Sequence, residues 1–353
     1  MSVHAAVEAL SAQGIHSVLA QFVDLHGVAK GKLVPLVKLQ DFLLKPTGSG
    51  AWQPADPSDQ LDKPSYDWKA IHRNRDFLED MRQNLTELGF DLQQIDHEDA
   101  CGQYEINYRF DEALAAADRF IVFKMAAHAV AEQHGMVFSC MPKPFANAPG
   151  SGLHFHLSIT DEEGRAVFSD RAEPLLLSQD GYRFVAGLLH HADGLSALCS
   201  PTVNSYKRLA SSESASGTTW SPVWKNYGDN NRTCVVRTVE GRLEWRLPDP
   251  SCNVYAAIAA TLAAGLNGVE QAMDCPPACT VDLYQHQAAG QPMPARLPRD
   301  LQAALQALAA DHSLVSAVGQ AFCAEFIRIK QREWDDYSQT ISPWELRRYA
   351  DAF

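Results

Sequence analysis

Apolar and polar positions alternate through Gly150-Ser151-Gly152-Leu153-His154-Phe155-His156-Leu157-Ser158. This predicts a β-strand with His154, His156 and Ser158 on one face and Leu153, Phe155 and Leu157 on the other. One face can pack while the other is free for chemistry. Pro149 and the three small residues after it let the backbone turn sharply and leave room for a ligand at the strand entrance. The same patterning gives an N-terminal amphipathic helix over residues 1–14, then a hairpin of Ser17–Val23 and Val28–Pro35 through Asp24-Leu25-His26-Gly27. Leu36–Leu44 is apolar without a clear period, and Pro46–Asp62, rich in Pro, Gly, Ser, Asp and Gln, reads as a loop.

Apolar residues at Phe77, Met81, Leu85 and Leu88 predict a helix over Asn74–Leu88, closed by Gly89. Strands follow over Phe90–His97 and Gly102–Phe110, then a long Ala-rich helix over Asp111–Gly135 with Asp111 as its N-cap, then a strand over Val137–Cys140. Asp161-Glu162-Glu163-Gly164 turns the His-containing strand back onto Ala166–Ser169, and Glu240-Gly241 joins Val235–Val239 to Arg242–Leu247 in a second hairpin. Helices are expected over Asp180–Ala192 and Cys252–Met273, and through most of Leu301–Ala350 with breaks near Asp311 and Ser342-Pro343. Strands and helices mixed in this order predict an α+β fold, with helices covering an antiparallel sheet.

The 353 residues, 46% hydrophobic, can bury a large core. A net charge of -13 argues against a nucleic-acid binder, whose footprint is usually basic, but leaves room for a local arginine cluster on a small anion. The eight cysteines are scattered, which reads as reduced, intracellular usage; Cys275 and Cys279 form a C-x3-C pair with no second pair at zinc-site spacing. The start of the chain lacks the basic segment and long apolar core of a signal peptide, and Ala256–Leu266 is too short to span a bilayer. A cytoplasmic protein without membrane or nucleic-acid partners is expected.

Candidate chemistry collects at Glu98, Glu105, His154 and Glu244, each on a strand-like stretch beside polar neighbours. Hard divalent cations take carboxylate oxygens with an occasional imidazole, so such a group suits Mg2+. Taken singly, Glu98 and Glu105 are equally well read as solvated strand-edge charges. Arg208, Arg232, Arg237 and Arg246 lie in one part of the chain near Gly- or Asn-containing turns. Guanidinium groups match phosphate and carboxylate geometry, so a metal and an anion held side by side would account for both sets.

Met141-Pro142-Lys143-Pro144, the Gly150–His156 segment, Pro201-Thr202-Val203-Asn204-Ser205-Tyr206-Lys207-Arg208-Leu209, Asn230-Asn231-Arg232 and Glu244-Trp245-Arg246-Leu247-Pro248-Asp249 occur in that order. This ordered set resembles the catalytic domain of the glutamine synthetase family, over about Trp52 to Phe353, and its wording is similar to the branch of type III-like and γ-glutamylmethylamide synthetases. The resemblance implies a remnant of an N-terminal β-grasp domain over residues 1–41 and a catalytic domain over residues 42–353. It implies Glu98 and Glu105 on one divalent cation, Mg2+ or Mn2+, and His154 and Glu244 on another. Arg208 and Arg246 would face glutamate and the transferring phosphate, and Arg232 and Arg237 the ATP phosphates. His156 and Ser158 would line the nucleotide side, and Gly150 the glutamate pocket. The implied reaction phosphorylates the γ-carboxylate of glutamate with ATP, and ammonia or an alkylamine then displaces the phosphate.

Two departures stand out. The family's Glu-x-Glu pair is absent: Asp41 runs directly into Phe42-Leu43-Leu44-Lys45, which resembles the tail of that strand without its head. A segment missing after Asp41 would leave each cation one carboxylate short, weaken metal binding and activity, and impair the ring of identical subunits that the family forms. A non-catalytic binding or regulatory member is the alternative it raises; a metal hydrolase built on His154 and His156 would leave the arginine motifs unexplained. Second, Trp220-Ser221-Pro222 stands where ammonia-using members carry a Glu. An indole packs on a methyl group or a cation and cannot take a proton, which favours an alkylamine such as methylamine. Pro149 also replaces an Asn that the family often places near glutamate.

Overall fold

A computed structural model describes residues 21–23, 29–31, 41–47, 51–61, 65–210, 213–214, 217–218 and 220–353. The helix expected over residues 1–14 lies outside them, as do the turn 24–28 and residues 32–40. The chain divides into two compact units, Met1–Cys140 with Asn253–Tyr255, and Met141–Cys252 with Ala256–Phe353.

In the first unit, β1 (Gln21–Val23) and β2 (Ala29–Gly31) pair antiparallel as the sequence predicts. β3 (Asp41–Pro46) is the hub of an antiparallel sheet with β4 (Trp52–Pro54), β5 (Leu92–His97), β6 (Gln103–Tyr108) and β7 (Val137–Ser139). It pairs with β4 and β6 at its two ends and with β7 through Phe42–Leu44. Asp41, Phe42, Leu43 and Leu44 are all buried, so both faces of this strand are covered and no alternation shows in the sequence. Asp41 and Phe42 lie side by side in β3, opposite Tyr104 and Gln103.

β4 falls inside the stretch expected to be loop. Thr47 and Ala51 close a turn by reciprocal hydrogen bonds, which brings Trp52–Pro54 back onto β3, and Pro54 sits at the end of the strand where its missing N–H costs nothing. The short helix α1 (Trp68–Arg73), also unforeseen, starts where the Asp67 carboxylate accepts the N–H groups of Lys69 and Ala70. α2 (Arg75–Glu87) buries Phe77, Leu78, Met81 and Leu85, the expected stripe. α3 (Ala113–Gln133) starts two residues later than expected, with Glu112 rather than Asp111 at its N-cap.

The second unit holds the sheet β11-β12-β13-β8, made of β8 (Phe155–Leu157), β11 (Tyr227–Asp229), β12 (Val236–Val239) and β13 (Arg242–Trp245). β12–β13 is the hairpin predicted through Glu240-Gly241; β11 runs parallel to β12, the exception in an otherwise antiparallel sheet. The return of the His-containing strand is reduced to one bridge, Thr160 with Ala166. A small pair, β9 (Glu213–Ser214) and β10 (Gly217–Thr218), lies in the segment before Trp220.

Helices α4 (Gln179–His190) and α7 (Val254–Glu270) occur near the positions expected of them, and the structure adds α5 (Ala192–Cys199) and α6 (Ser205–Arg208) between them. α4 and α7 touch backbone to backbone: a Cβ on Gly187 would lie 2.2 Å from the Ala264 carbonyl, and one on Gly268 2.1 Å from the Arg183 carbonyl. The C-terminal run is α8 (Leu283–Ala288), α9 (Leu301–Ala310), α10 (His312–Val318), α11 (Gln320–Gln339) and α12 (Pro343–Tyr349). Besides the expected breaks at Asp311 and Ser342, Gly319 interrupts it with a φ of +113°. Among the described residues no helix is long and apolar enough to cross a membrane.

Candidate active site

In the first unit, the turn between β5 and β6 is fixed by Glu98 N–H donating to the Gln103 carbonyl at 2.9 Å and Gln103 N–H to that of Ala100 at 2.9 Å. Beneath it, Asp59 and His97 form a fully buried pair at 2.7 Å, and the same Asp59 oxygen accepts Gly102 N–H at 2.6 Å. The turn presents Glu98 toward Glu105 of β6, and the two carboxyl groups are hydrogen-bonded to each other. That is possible only if they share a proton. Burial and the second carboxylate push Glu98 up to about 8. Asn107 Nδ2 donates to Glu105 Oε1 at 2.7 Å and Asp99 N–H to Glu98 Oε2 at 3.0 Å, so the pair is held in place and not merely crowded.

The second unit's cluster is a row across three strands. Register places Arg237 opposite Glu244 and Glu244 opposite His156, so the three side chains share a sheet face, with Arg242 and Arg246 two residues either side of Glu244. β8 itself begins only at Phe155. His154 lies just before it, in a segment held by Ser151 N–H to the Pro142 carbonyl and Leu153 N–H to that of Pro248, each 2.9 Å. It still faces the row, with Nδ1 3.1 Å from Glu244 Oε1.

Glu244, 3% exposed, accepts Arg246 Nη1 at 2.5 Å on the oxygen that meets His154, and Arg237 Nη1 at 2.7 Å on the other. Burial alone would raise its pKa, but these partners hold it well below the usual carboxylate range. Burial, together with the Arg246 charge, draws His154 down to about 4 despite Glu244, so it is a neutral imidazole at physiological pH. Arg237 is braced on Asn230 Oδ1 at 2.9 Å, and Arg246 Nη2 donates to the Trp220 carbonyl at 2.9 Å. Arg246 Nε is buried and, among the described residues, has no partner. A buried N–H left over beside two guanidiniums is what an anionic oxygen would take.

Arg208, buried and drawn down to about 10 by that burial, spends two N–H groups on the carbonyls of Leu247 and Arg246, each at 2.9 Å. It lies against the glycine loop: a Cβ on Gly152 would be 2.5 Å from His154 Nε2 and 2.8 Å from Arg208 Nη2, and one on Gly150 2.4 Å from the Pro142 carbonyl. Only glycine leaves space for both side chains there. His156 and Ser158 are exposed on the row's outer side, where Arg242 Nε donates to His156 Nδ1 at 3.0 Å. Arg232 is exposed and close enough to Arg246 to disfavour its charge. Trp220 is 40% exposed, at a φ of +51° that few side chains tolerate, with its carbonyl on Arg246.

The four expected metal residues thus meet as two pairs, Glu98 with Glu105 and His154 with Glu244. Among the described residues no group of three His, Cys, Asp or Glu side chains is placed to hold a metal ion. The first pair fits a hard divalent cation, which would replace the shared proton and remove the repulsion. In the second, Glu244 is occupied by nitrogen donors and orients His154 through Nδ1, which directs Nε2 toward any ion. Sequence reasoning missed Asn230, which braces Arg237, and Arg242, which engages His156; the signal available was their place beside the chosen arginines and on alternate positions of one strand.

Residues 33–349 match the model of the glutamine synthetase catalytic domain. The chain is 46% identical over 320 residues to a glutamate–methylamine ligase of Methyloversatilis universalis, covering 89% of this chain and 71% of that protein. It is 39% identical over 319 residues to a glutamine synthetase of Rhizobium meliloti, covering 89% of this chain and 72% of that one. Among solved structures, one described as a GmaS/ADP complex superposes with a TM-score of 0.82 at 42% identity, covering 89% of this chain and 71% of the other. One described as apo GmaS without ligand superposes at 0.87 and 32%, covering 97% and 98%. Relatives named as ligases give no support to a non-catalytic binding subunit, and the fold is not that of an unrelated hydrolase. The chain belongs to the glutamine synthetase family, as an α+β carbon–nitrogen ligase of the branch similar to glutamate–methylamine ligase.

Proposed function

We propose that the chain joins the γ-carboxylate of glutamate to a small alkylamine, with ATP as phosphoryl donor and a γ-glutamyl phosphate between the two steps. The observation that supports this most is the buried Arg246, whose Nε has no partner among the described residues and lies beside the Arg237–Glu244 pair. A carboxylate attacking a phosphoryl group gathers negative charge, and preorganised guanidiniums stabilise it without reorganising. Arg246 and Arg208 would take the glutamate and the transferring group, with Gly150 against Arg208; Arg232 and Arg237 the nucleotide phosphates, beside His156 and Ser158. Divalent cations, held by Glu98 and Glu105 and by His154 with Glu244, would neutralise phosphate oxygens. Glu244 orients His154 through Nδ1, while burial and the Arg246 charge keep the imidazole neutral for that role.

The exposed Trp220 supports an amine carrying a methyl group, which an indole face can cover, whereas an indole cannot take the proton that ammonium must lose. The test is glutamate-dependent ADP formation by the purified chain with methylamine or ammonium. Methylamine is expected to be preferred, with a requirement for Mg2+ at high concentration because each site holds two protein donors. A strong preference for ammonium overturns the amine assignment, and full turnover at low Mg2+ overturns the reading that carboxylates are missing after Asp41. The family's ring assembly is proposed for this chain where its N-terminal domain is intact, and sizing in solution tests it.

A further inference from the structure

Cys234 follows the Asn230-Asn231-Arg232 turn and is fully buried, whereas Cys279 lies on the segment before α8 and is half-buried. Their thiols are hydrogen-bonded to each other. Both are pinned: Asn226 Nδ2 lies 3.2 Å from the Cys234 sulfur, and Asn231 Nδ2 3.8 Å from that of Cys279. Gly228 makes the approach possible, since a Cβ there would lie 2.3 Å from the Cys279 carbonyl and 3.3 Å from the Cys234 sulfur. A cavity of about 340 Å3, lined by Cys279, Asn226 and several prolines, reaches the Cys279 side. The nearby Cys275 is engaged elsewhere, with the Tyr227 hydroxyl.

We propose that Cys234 and Cys279 are a modification site, oxidised to a reversible disulfide by a peroxide that enters through this cavity. The Cys279 thiolate attacks one peroxide oxygen, the O–O bond breaks, and the departing hydroxide takes up a proton as water. The Cys234 sulfur then attacks the sulfur of the Cys279 sulfenic acid, the S–O bond breaks, and the Cys234 proton leaves with the hydroxide as a second water. Two thiols lose two electrons and one peroxide gains them; a dithiol reverses the change. Cys279 is the first to react because Cys234 is enclosed and burial raises its thiol pKa.

The bond would fasten the turn bearing Asn231 and Arg232 to the 279–283 segment, which Asn231 and Thr233 already join by bonds to the Val281 carbonyl and the Leu283 N–H. The whole chain, purified reduced, is treated with hydrogen peroxide, alkylated, and mapped by peptide mass. A Cys234–Cys279 peptide lighter by two hydrogens, lost on adding dithiothreitol, kept in Cys275→Ser and lost in Cys279→Ser, is expected. Amide exchange in the 230–234 turn should slow severalfold in the oxidised protein. A Cys275–Cys279 link, or Cys279 oxidised to sulfinic acid with Cys234 still alkylatable after unfolding, overturns the proposal. Mapping of the unsubstituted chain decides the matter even where Cys279→Ser fails to fold.

Discussion

Glu98 meets another carboxylate, whereas Glu244 meets two guanidiniums and an imidazole. Both are largely enclosed by protein, so burial acts on them alike; their partners send their pKa values in opposite directions. The first place holds two carboxyl groups together through a shared proton, with no cationic side chain among the groups that set the Glu98 pKa. The second is balanced by the chain itself and leaves the buried Arg246 Nε without a partner among the described residues. Two acidic residues assigned the same role from sequence therefore differ in kind: one is paired with a second carboxyl group, the other orients His154 and anchors Arg237 and Arg246.

The largest effect expected from this contrast is at Glu244. Glu244→Gln keeps the volume but leaves the buried Arg246 and the half-buried Arg237 guanidiniums facing a neutral amide, and breaking a buried pair from one side costs about 3 kcal/mol. Urea denaturation should show that loss, and His154, without its carboxylate, should no longer be held. A cost under about 1 kcal/mol would mean that the row is not charge-balanced as described.

At Glu98 the sign reverses. Glu98→Gln removes a carboxyl that must share a proton, so stability without metal should hold or rise, by about 1 kcal/mol. The gain in melting temperature that Mg2+ gives the unsubstituted chain should fall in the variant, because one of two oxygen donors is lost. Destabilisation on the scale of Glu244→Gln would show that Glu98 is a structural hydrogen-bond partner instead.

Much of this contrast is visible in the sequence because β-hairpins are local. The Glu240-Gly241 turn fixes the register of β12 and β13, and with it the meeting of Arg237 and Glu244. The alternation through His154 and His156 likewise leads to the row that both reach. What was not legible depends on distant pairings. β3 shows no period because it is enclosed by three partners, β4 depends on a turn closed by Thr47 and Ala51, and the use of Arg208 on two backbone carbonyls follows from its burial under the glycine loop. Residue type also cannot tell a carboxyl paired with another carboxyl from one already neutralised by guanidiniums; that needs the neighbours.

A third buried acidic contact, away from the arginine row, sharpens the comparison with the smallest effect. His191, at the junction of α4 and α5, meets Asp311 through Nδ1 at 2.6 Å and Asn267 through Nε2 at 3.0 Å. Burial opposes the imidazolium, but these two bonds outweigh it and raise the His191 pKa, and burial at Asp311 is likewise outweighed by His191, which lowers the carboxyl. A raised histidine contributes stability that is complete below its unfolded pKa and is lost as pH rises through the folded value. A lowered carboxyl contributes stability that is complete above its unfolded pKa and is lost as pH falls through the folded value. Stability from this pair should therefore peak in mildly acidic solution and decline above neutrality by about 1 kcal/mol, a decline that His191→Gln removes. Glu244, balanced by arginines that stay charged, gives no such decline, so a neutral-to-alkaline loss that survives in His191→Gln would have to come from elsewhere in the fold.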